Sequence, residues 1–373
     1  KQCKLTRRAN EKYCSQHVPL GVDLAPSSHR TNRRVRIPCP IDASHSVWQE
    51  DIESHVSKCS GRVIKPVDEW FCEDCNLDEP ITVSHTIPNP EDYIHCIELV
   101  TKAVDPGWAP KPLVVSERHI AGIIDRNKEH TKHGTQQEHL VDLILSLQRQ
   151  EPDAYIEFGA GRGELSRYLA LALDHKKPNL FVLVDRDGPR MKQDSKLEQD
   201  ALAHGYEPPQ VQRHKVDIKD FKLDRALPDE KRIISAISKH LCGAATDLSL
   251  RCITRSQKEC SMICIALCCR HRCSWNALMD ESQKWMKERG IDEKNFYIVC
   301  KMTSWATSGS RTHMSTNHLG LDSAERERIG LLCRNVIDLS RVHALKMHGI
   351  KGSIVKYIDS AATLENYCLV ASK

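Results

Sequence analysis

Apolar residues recur at helical spacing in residues 136–150, where Leu140, Leu143, Ile144 and Leu147 fall at i, i+3, i+4 and i+7 and share one face. Short apolar runs of strand length follow at residues 154–158, 180–184, 211–216, 232–238 and 262–267, with helical stretches between them. The first run leads into a glycine turn and then a helix over 164–174. Residues 353–358 and 367–371 read as a closing pair of strands. Strands alternating with helices predict an α/β fold from about residue 113 to 373, with a mostly parallel, doubly wound, Rossmann-like sheet.

The pattern breaks upstream. Residues 64–112 hold seven prolines and read as a linker with a short helix near 93–104. Residues 303–317, rich in Ser, Thr and Gly, read as a loop able to close over a site. No apolar run approaches the ~18–20 residues of a membrane helix. The basic N-terminus lacks the apolar core of a secretion signal, so membrane partners are not expected. The chain begins at Lys1 without methionine and reads as a fragment.

Composition adds metal chemistry. The 373 residues include 17 cysteines and 19 histidines, without the short length or secretion signal of a disulfide scaffold. This points to metal sites in a soluble nuclear or cytoplasmic protein. Net charge is only +4, but residues 1–40 carry nine Lys or Arg against two acidic residues, a balance of +7 that attracts polyanions.

Cys39-x5-His45-x9-His55-x3-Cys59 supplies the four N or S ligands that tetrahedral zinc requires, within a module over 36–63. So small a unit has little apolar core and depends on the metal for its fold. Cys3-x10-Cys14-x2-His17 supplies three ligands in an incomplete finger over 1–20, with the fourth expected upstream of Lys1. Cys72-x2-Cys75 reads as a pair of free thiols. Cys264, Cys268, Cys269 and Cys273 resemble a cluster motif, yet strand alternation lets only Cys264 and Cys268 share a face, so they read as core thiols.

The run Glu157-Phe-Gly159-Ala-Gly161-Arg-Gly163 places three glycines where a strand becomes a helix, so a ligand can approach the backbone and the helix N-terminus. The G-x-G-x-G spacing differs from the dinucleotide G-x-G-x-x-G. Asp185 ends the next strand, where a carboxylate accepts from ribose hydroxyls, and Asp217 follows the third. Together these features resemble the class I methyltransferases, which implies S-adenosylmethionine bound across Glu157, Gly159, Gly161, Gly163, Asp185 and Asp217.

Ligands in such sheets react beyond the carboxyl ends of the strands. The fourth strand runs into Lys239-His240-Leu-Cys242-Gly243, and the fifth into Cys268-Cys269-Arg270-His271-Arg272-Cys273-Ser-Trp275. A hydroxyl nucleophile needs its proton removed, a task for Lys239 or His240. Arg270, His271 and Arg272 suit a neighbouring phosphate or ribose.

The order of these motifs, from finger to finger to glycine turn to Lys239-His-Leu-Cys-Gly243-x-x-Thr-Asp247 to Cys268-Cys-x-His271-x-x-Ser-Trp275, resembles the eukaryotic tRNA 2'-O-methyltransferases of the fourth acceptor-stem nucleotide. The CHHC finger is also similar to that of a minor-spliceosome protein. The resemblance implies a ribose 2'-hydroxyl in the tRNA acceptor stem as substrate, zinc in the fingers and no predictable protein partner. The alternative is an RNA-binding zinc-finger adaptor with an inactive methyltransferase domain.

Overall fold

The computed structural model describes residues 23–24, 34–41, 46–56, 59, 68–81, 87–105, 107–112, 131–173, 179–188, 192–229, 232–307 and 319–372. The chain divides into two compact units, Lys1–Val67 and Asp68–Lys373. In the first, strands β1 (Asp23–Leu24), β2 (Arg34–Pro38) and β3 (Ser46–Trp48) pair antiparallel, and a short helix α1 (Ile52–Val56) follows. Among its described residues, Cys39, Val47 and Cys59 are buried against Ile37, Ile41 and Ile52. Arg36 stacks on the Trp48 ring at 4.9 Å.

The second unit begins with α2 (Pro90–Ala103), β4 (Lys111–Pro112) and α3 (Lys132–Leu147). Next come β5 (Ala154–Phe158), α4 (Glu164–Ala172), β6 (Leu180–Asp185), α5 (Asp194–Ala203), β7 (Gln210–Lys215) and α6 (Leu223–Ala226). The rest is β8 (Ile233–Cys242), α7 (Ala244–Thr254), β9 (Glu259–Cys268), α8 (Asp280–Lys287), α9 (Glu293–Met302), α10 (Ser323–Met347), β10 (Gly352–Lys356) and β11 (Tyr367–Ser372). The sheet order is β4-β10-β11-β9-β8-β5-β6-β7, with β5 to β9 parallel and β11 antiparallel to both neighbours. This is the mostly parallel, doubly wound sheet that the sequence predicts, closed by the expected hairpin.

Side chains alternate across the sheet. Ile156, Val182, Ala236 and Ile263 face one apolar layer, which also holds Leu248 of α7 and Leu345 of α10. Tyr155, Phe181, Ile237 and Cys264 face the other, with Leu140 and Ile144 of α3 and Tyr168 of α4. Burial on both faces explains why the strands read as continuous apolar runs. Each fully buried Leu, Ile or Phe contributes about 1.5–3 kcal/mol. A third cluster joins α2, α8, α9 and the stretch of α10 from Ile329 to Ile337 around Trp285, Met286, Phe296 and Ile337.

The second unit begins at Asp68 and takes in the described part of the proline-rich stretch. Proline breaks regular elements but does not prevent packing. Phe71 bridges to Phe221, and the buried Asn76 amide donates to the Ile218 and Phe221 carbonyls at 2.7 and 2.8 Å. The short helix expected near 93–104 is α2, capped by Asn89 and Asp92 in a reciprocal box. Residues 308–317 of the expected loop lie outside the described residues; Thr303–Ala306 form a 3-10 turn.

Candidate active site

β5 has β6 on one side and β8 on the other, so the strand order reverses between β5 and β8. Open α/β sheets bind ligands beyond the carboxyl ends at such a reversal. A cavity of about 680 Å³ opens there, within the roughly 300–1,000 Å³ of small-molecule sites.

The glycine turn forms one wall. Gly159 takes φ +63°, and a Cβ there would meet the Leu241 side chain at 3.0 Å. The Gly161 N–H donates to one oxygen of Asp185 at 2.7 Å, and the Asp187 N–H donates to the other at 2.7 Å. Asp185 is thereby fixed, with lone pairs left for ligand hydroxyls. Arg213 of β7 holds the turn from behind, donating to the Gly161 carbonyl at 2.8 Å while paired with Asp194 at 2.6 and 2.7 Å.

Helix α4 starts at Gly163, which has no capping side chain. Glu157, buried on β5, takes that place by accepting from the Ser166 N–H at 3.1 Å and from its hydroxyl. Burial still pushes the Glu157 carboxyl up to about 7. Of the six residues expected around a cofactor, Gly159, Asp185 and Asp217 line the cavity. Glu157, Gly161 and Gly163 do not; Glu157 and Gly161 brace the turn from outside the wall. Asp217 also caps the following turn through the Lys219 N–H at 3.1 Å.

The opposite wall comes from the ends of β8 and β9. Their register slips between Ser238 and Leu241, so β8 carries one extra residue there, and Lys239-His240 form the bulge. Bulges re-aim side chains next to active sites. His240 lines the cavity, with His133 of α3 edge-on to it at 6.1 Å; half-buried Lys239 does not line it. Ser238 anchors the bulge by donating to the Phe158 carbonyl at 2.7 Å. Gly243 then packs on the next loop: a Cβ there would lie 2.7 Å from the Arg272 carbonyl carbon, and its φ of +59° with ψ of −128° is open essentially to glycine alone.

His271 and Arg272 reach the cavity, but Arg270 does not, contrary to its expected contact with substrate. Arg270 is 2% exposed, and its guanidinium binds both oxygens of buried Asp338 and also Glu365. The same network pairs Arg341 with Asp247 at 2.7 and 2.8 Å. The Thr246-Asp247 end of the motif is thus structural.

Ile218, Leu241, Ala244, Ala245 and Leu248 add an apolar wall near the two carboxylates. Hydroxyl acceptors beside an apolar wall suit a nucleoside. Tyr297 and Lys301 of α9, together with Ile81, also line the cavity. The i, i+4 spacing puts Tyr297 and Lys301 on one helix face, but periodicity does not reveal which face meets a cavity.

In the N-terminal unit, Cys39 Sγ lies 3.6 Å from Cys59 Sγ and 3.2 Å from His55 Nε2, so three expected zinc ligands converge. His45, Cys3, Cys14 and His17 lie outside the described residues. Among the described residues, no helix is long and apolar enough to cross a membrane.

Residues 36–60 match the U11-48K-like CHHC zinc finger. Residues 135–372 match the family described as Methyltransferase TRM13. Relatives named "tRNA:m(4)X modification enzyme TRM13" align along nearly the whole chain. That of Scheffersomyces stipitis is 32% identical, covering 99% of this chain and 97% of the relative. That of Yarrowia lipolytica is 34% identical, covering 100% and 88%. That of Saccharomyces cerevisiae is 29% identical, covering 100% and 94%. A cavity at the strand reversal, a CHHC finger and this full-length similarity lead to one conclusion: the chain belongs to the TRM13 methyltransferase family.

Proposed function

We propose that the protein methylates the 2'-hydroxyl of nucleotide 4 in the tRNA acceptor stem, with S-adenosylmethionine supplying the methyl group. The observation that carries this reading is the cavity itself, which joins a nucleoside-suited wall at Gly159, Asp185 and Asp217 to a basic wall at His240, His271 and Lys301. Asp185 and Asp217 hold the cofactor's hydroxyl and amino groups, and the wall around Leu241 and Leu248 takes its base. Lys239 or His240, on the bulge, removes the hydroxyl proton as the nucleophile attacks. His271 and Arg272 hold the adjacent phosphate or ribose. The basic N-terminal segment and the fingers grip the tRNA. The names of the relatives and the motif order support tRNA as substrate.

The test is incubation with isotopically labelled cofactor and a tRNA transcript, followed by nuclease digestion and mass spectrometry. Label is expected as a 2'-O-methylnucleoside at nucleotide 4. A transcript with a 2'-deoxy residue there should accept none. Equal labelling of both transcripts would overturn the assignment to the ribose. Absence of calorimetric binding to S-adenosylmethionine would favour an RNA-binding adaptor.

A further inference from the structure

Three thiols meet where β8 and β9 end. Cys242 and Cys268 are register partners on adjacent parallel strands, with Sγ atoms 3.0 Å apart. Cys269 joins them, and the three sulfurs lie within 4.8 Å of one another. Cys242 also stands on the cavity wall.

We propose that Cys242, Cys268 and Cys269 form a thiolate site for one zinc ion, separate from the finger. A zinc–sulfur bond of about 2.3 Å sets tetrahedral S···S separations of roughly 3.8 Å, so Cys242 and Cys268 need to part by less than ~1 Å. Cys269 is one of two described non-glycine residues with positive φ, at +43°. Such a conformation costs on the order of 1 kcal/mol or more and persists where something else fixes it. The strained backbone accompanies a third sulfur that a disulfide between Cys242 and Cys268 has no use for. Thiolates select soft ions such as zinc. As each S–Zn bond forms, any remaining thiol proton leaves to solvent. The fourth position is left to water. Metal there ties together the strand ends from which Lys239-His240 and His271-Arg272 emerge.

The site stands independently of the proposed reaction, and its readout is metal. The full chain is purified with zinc and dialysed, and its zinc is counted by mass spectrometry for wild type, Cys39→Ser, Cys269→Ser and Cys269→Asn. Asparagine tolerates positive φ, so it keeps the test decisive if serine unfolds the loop. Each folded Cys269 variant is expected to lose one equivalent while keeping the finger's metal. Cobalt substitution should give thiolate charge-transfer absorption that falls with Cys269→Asn but partly survives Cys39→Ser. Unchanged zinc in the Cys269 variants overturns the proposal. So does a wild-type mass 2 Da low from a Cys242–Cys268 disulfide.

Discussion

Gly243 shows how one missing Cβ holds two loops together. Its backbone sits against the Arg272 carbonyl in a conformation that other residues avoid. Gly243→Ala is expected to destabilise the protein by about 2–4 kcal/mol and to weaken cofactor binding, as read by denaturant unfolding and calorimetry. Glu157 adds a pH signature. Its folded-state pKa of about 7 lies above its ordinary 4.5, so the folded state holds the proton more tightly. Stability therefore falls as pH rises across that interval, by up to about 3 kcal/mol, and levels off above it. Glu157→Gln keeps an oxygen acceptor for Ser166 without the titration. Relative to wild type it should gain stability from about pH 5 to pH 8; a constant difference at both pH values would show that Glu157 does not titrate there. His240 lines the cavity where Lys239 does not, so His240→Ala should lower turnover about 10²–10⁴-fold with cofactor affinity unchanged, and undiminished turnover would reject His240 as the base.

Elements lock one another through buried charge. Asp247 on α7 and Arg341 on α10 are both essentially inaccessible, and their double hydrogen bond joins the two helices. A buried pair is not in itself strongly stabilising, because desolvation offsets attraction. Removing one partner strands the other. Asp247→Ala should thus cost about 3–5 kcal/mol, read as a lower denaturation midpoint. The bulge on β8 and the segment from Phe71 to Leu77 act at the same scale. The first exposes His240 at the cavity, and the second packs on the turn after Asp217, adding Ile81 to the wall a few residues on.

The chain divides into two compact units, the finger in the first and the sheet in the second. Among the described residues the finger has a core of three buried apolar residues, so its fold depends on zinc, whose binding in such modules is worth on the order of 10–16 kcal/mol. His55→Ala should lower tRNA affinity in filter binding, flatten its salt dependence and leave calorimetric cofactor binding in the second unit intact. Loss of cofactor binding in this variant would show that the units are coupled.

The sequence by itself determined the period-2 and period-3.6 patterns, and with them the sheet, its closing hairpin and the glycine turn. Ligand spacing alone paired His55 with Cys39 and Cys59. These features are local: a few neighbouring residues encode them, and the hydrophobic effect enforces them. Which residues face the cavity was decided only by tertiary structure. Arg270 and His271 are adjacent in the chain, yet one turns inward to Asp338 and the other outward, because a partner 68 residues away captures the first. The proline-rich stretch joined the second unit because Asn76 and Phe71 found distant backbone partners. Lys239-His240 became a bulge, and three thiols converged, through the register between two strands. Such partners are set by packing, which no short window of sequence contains.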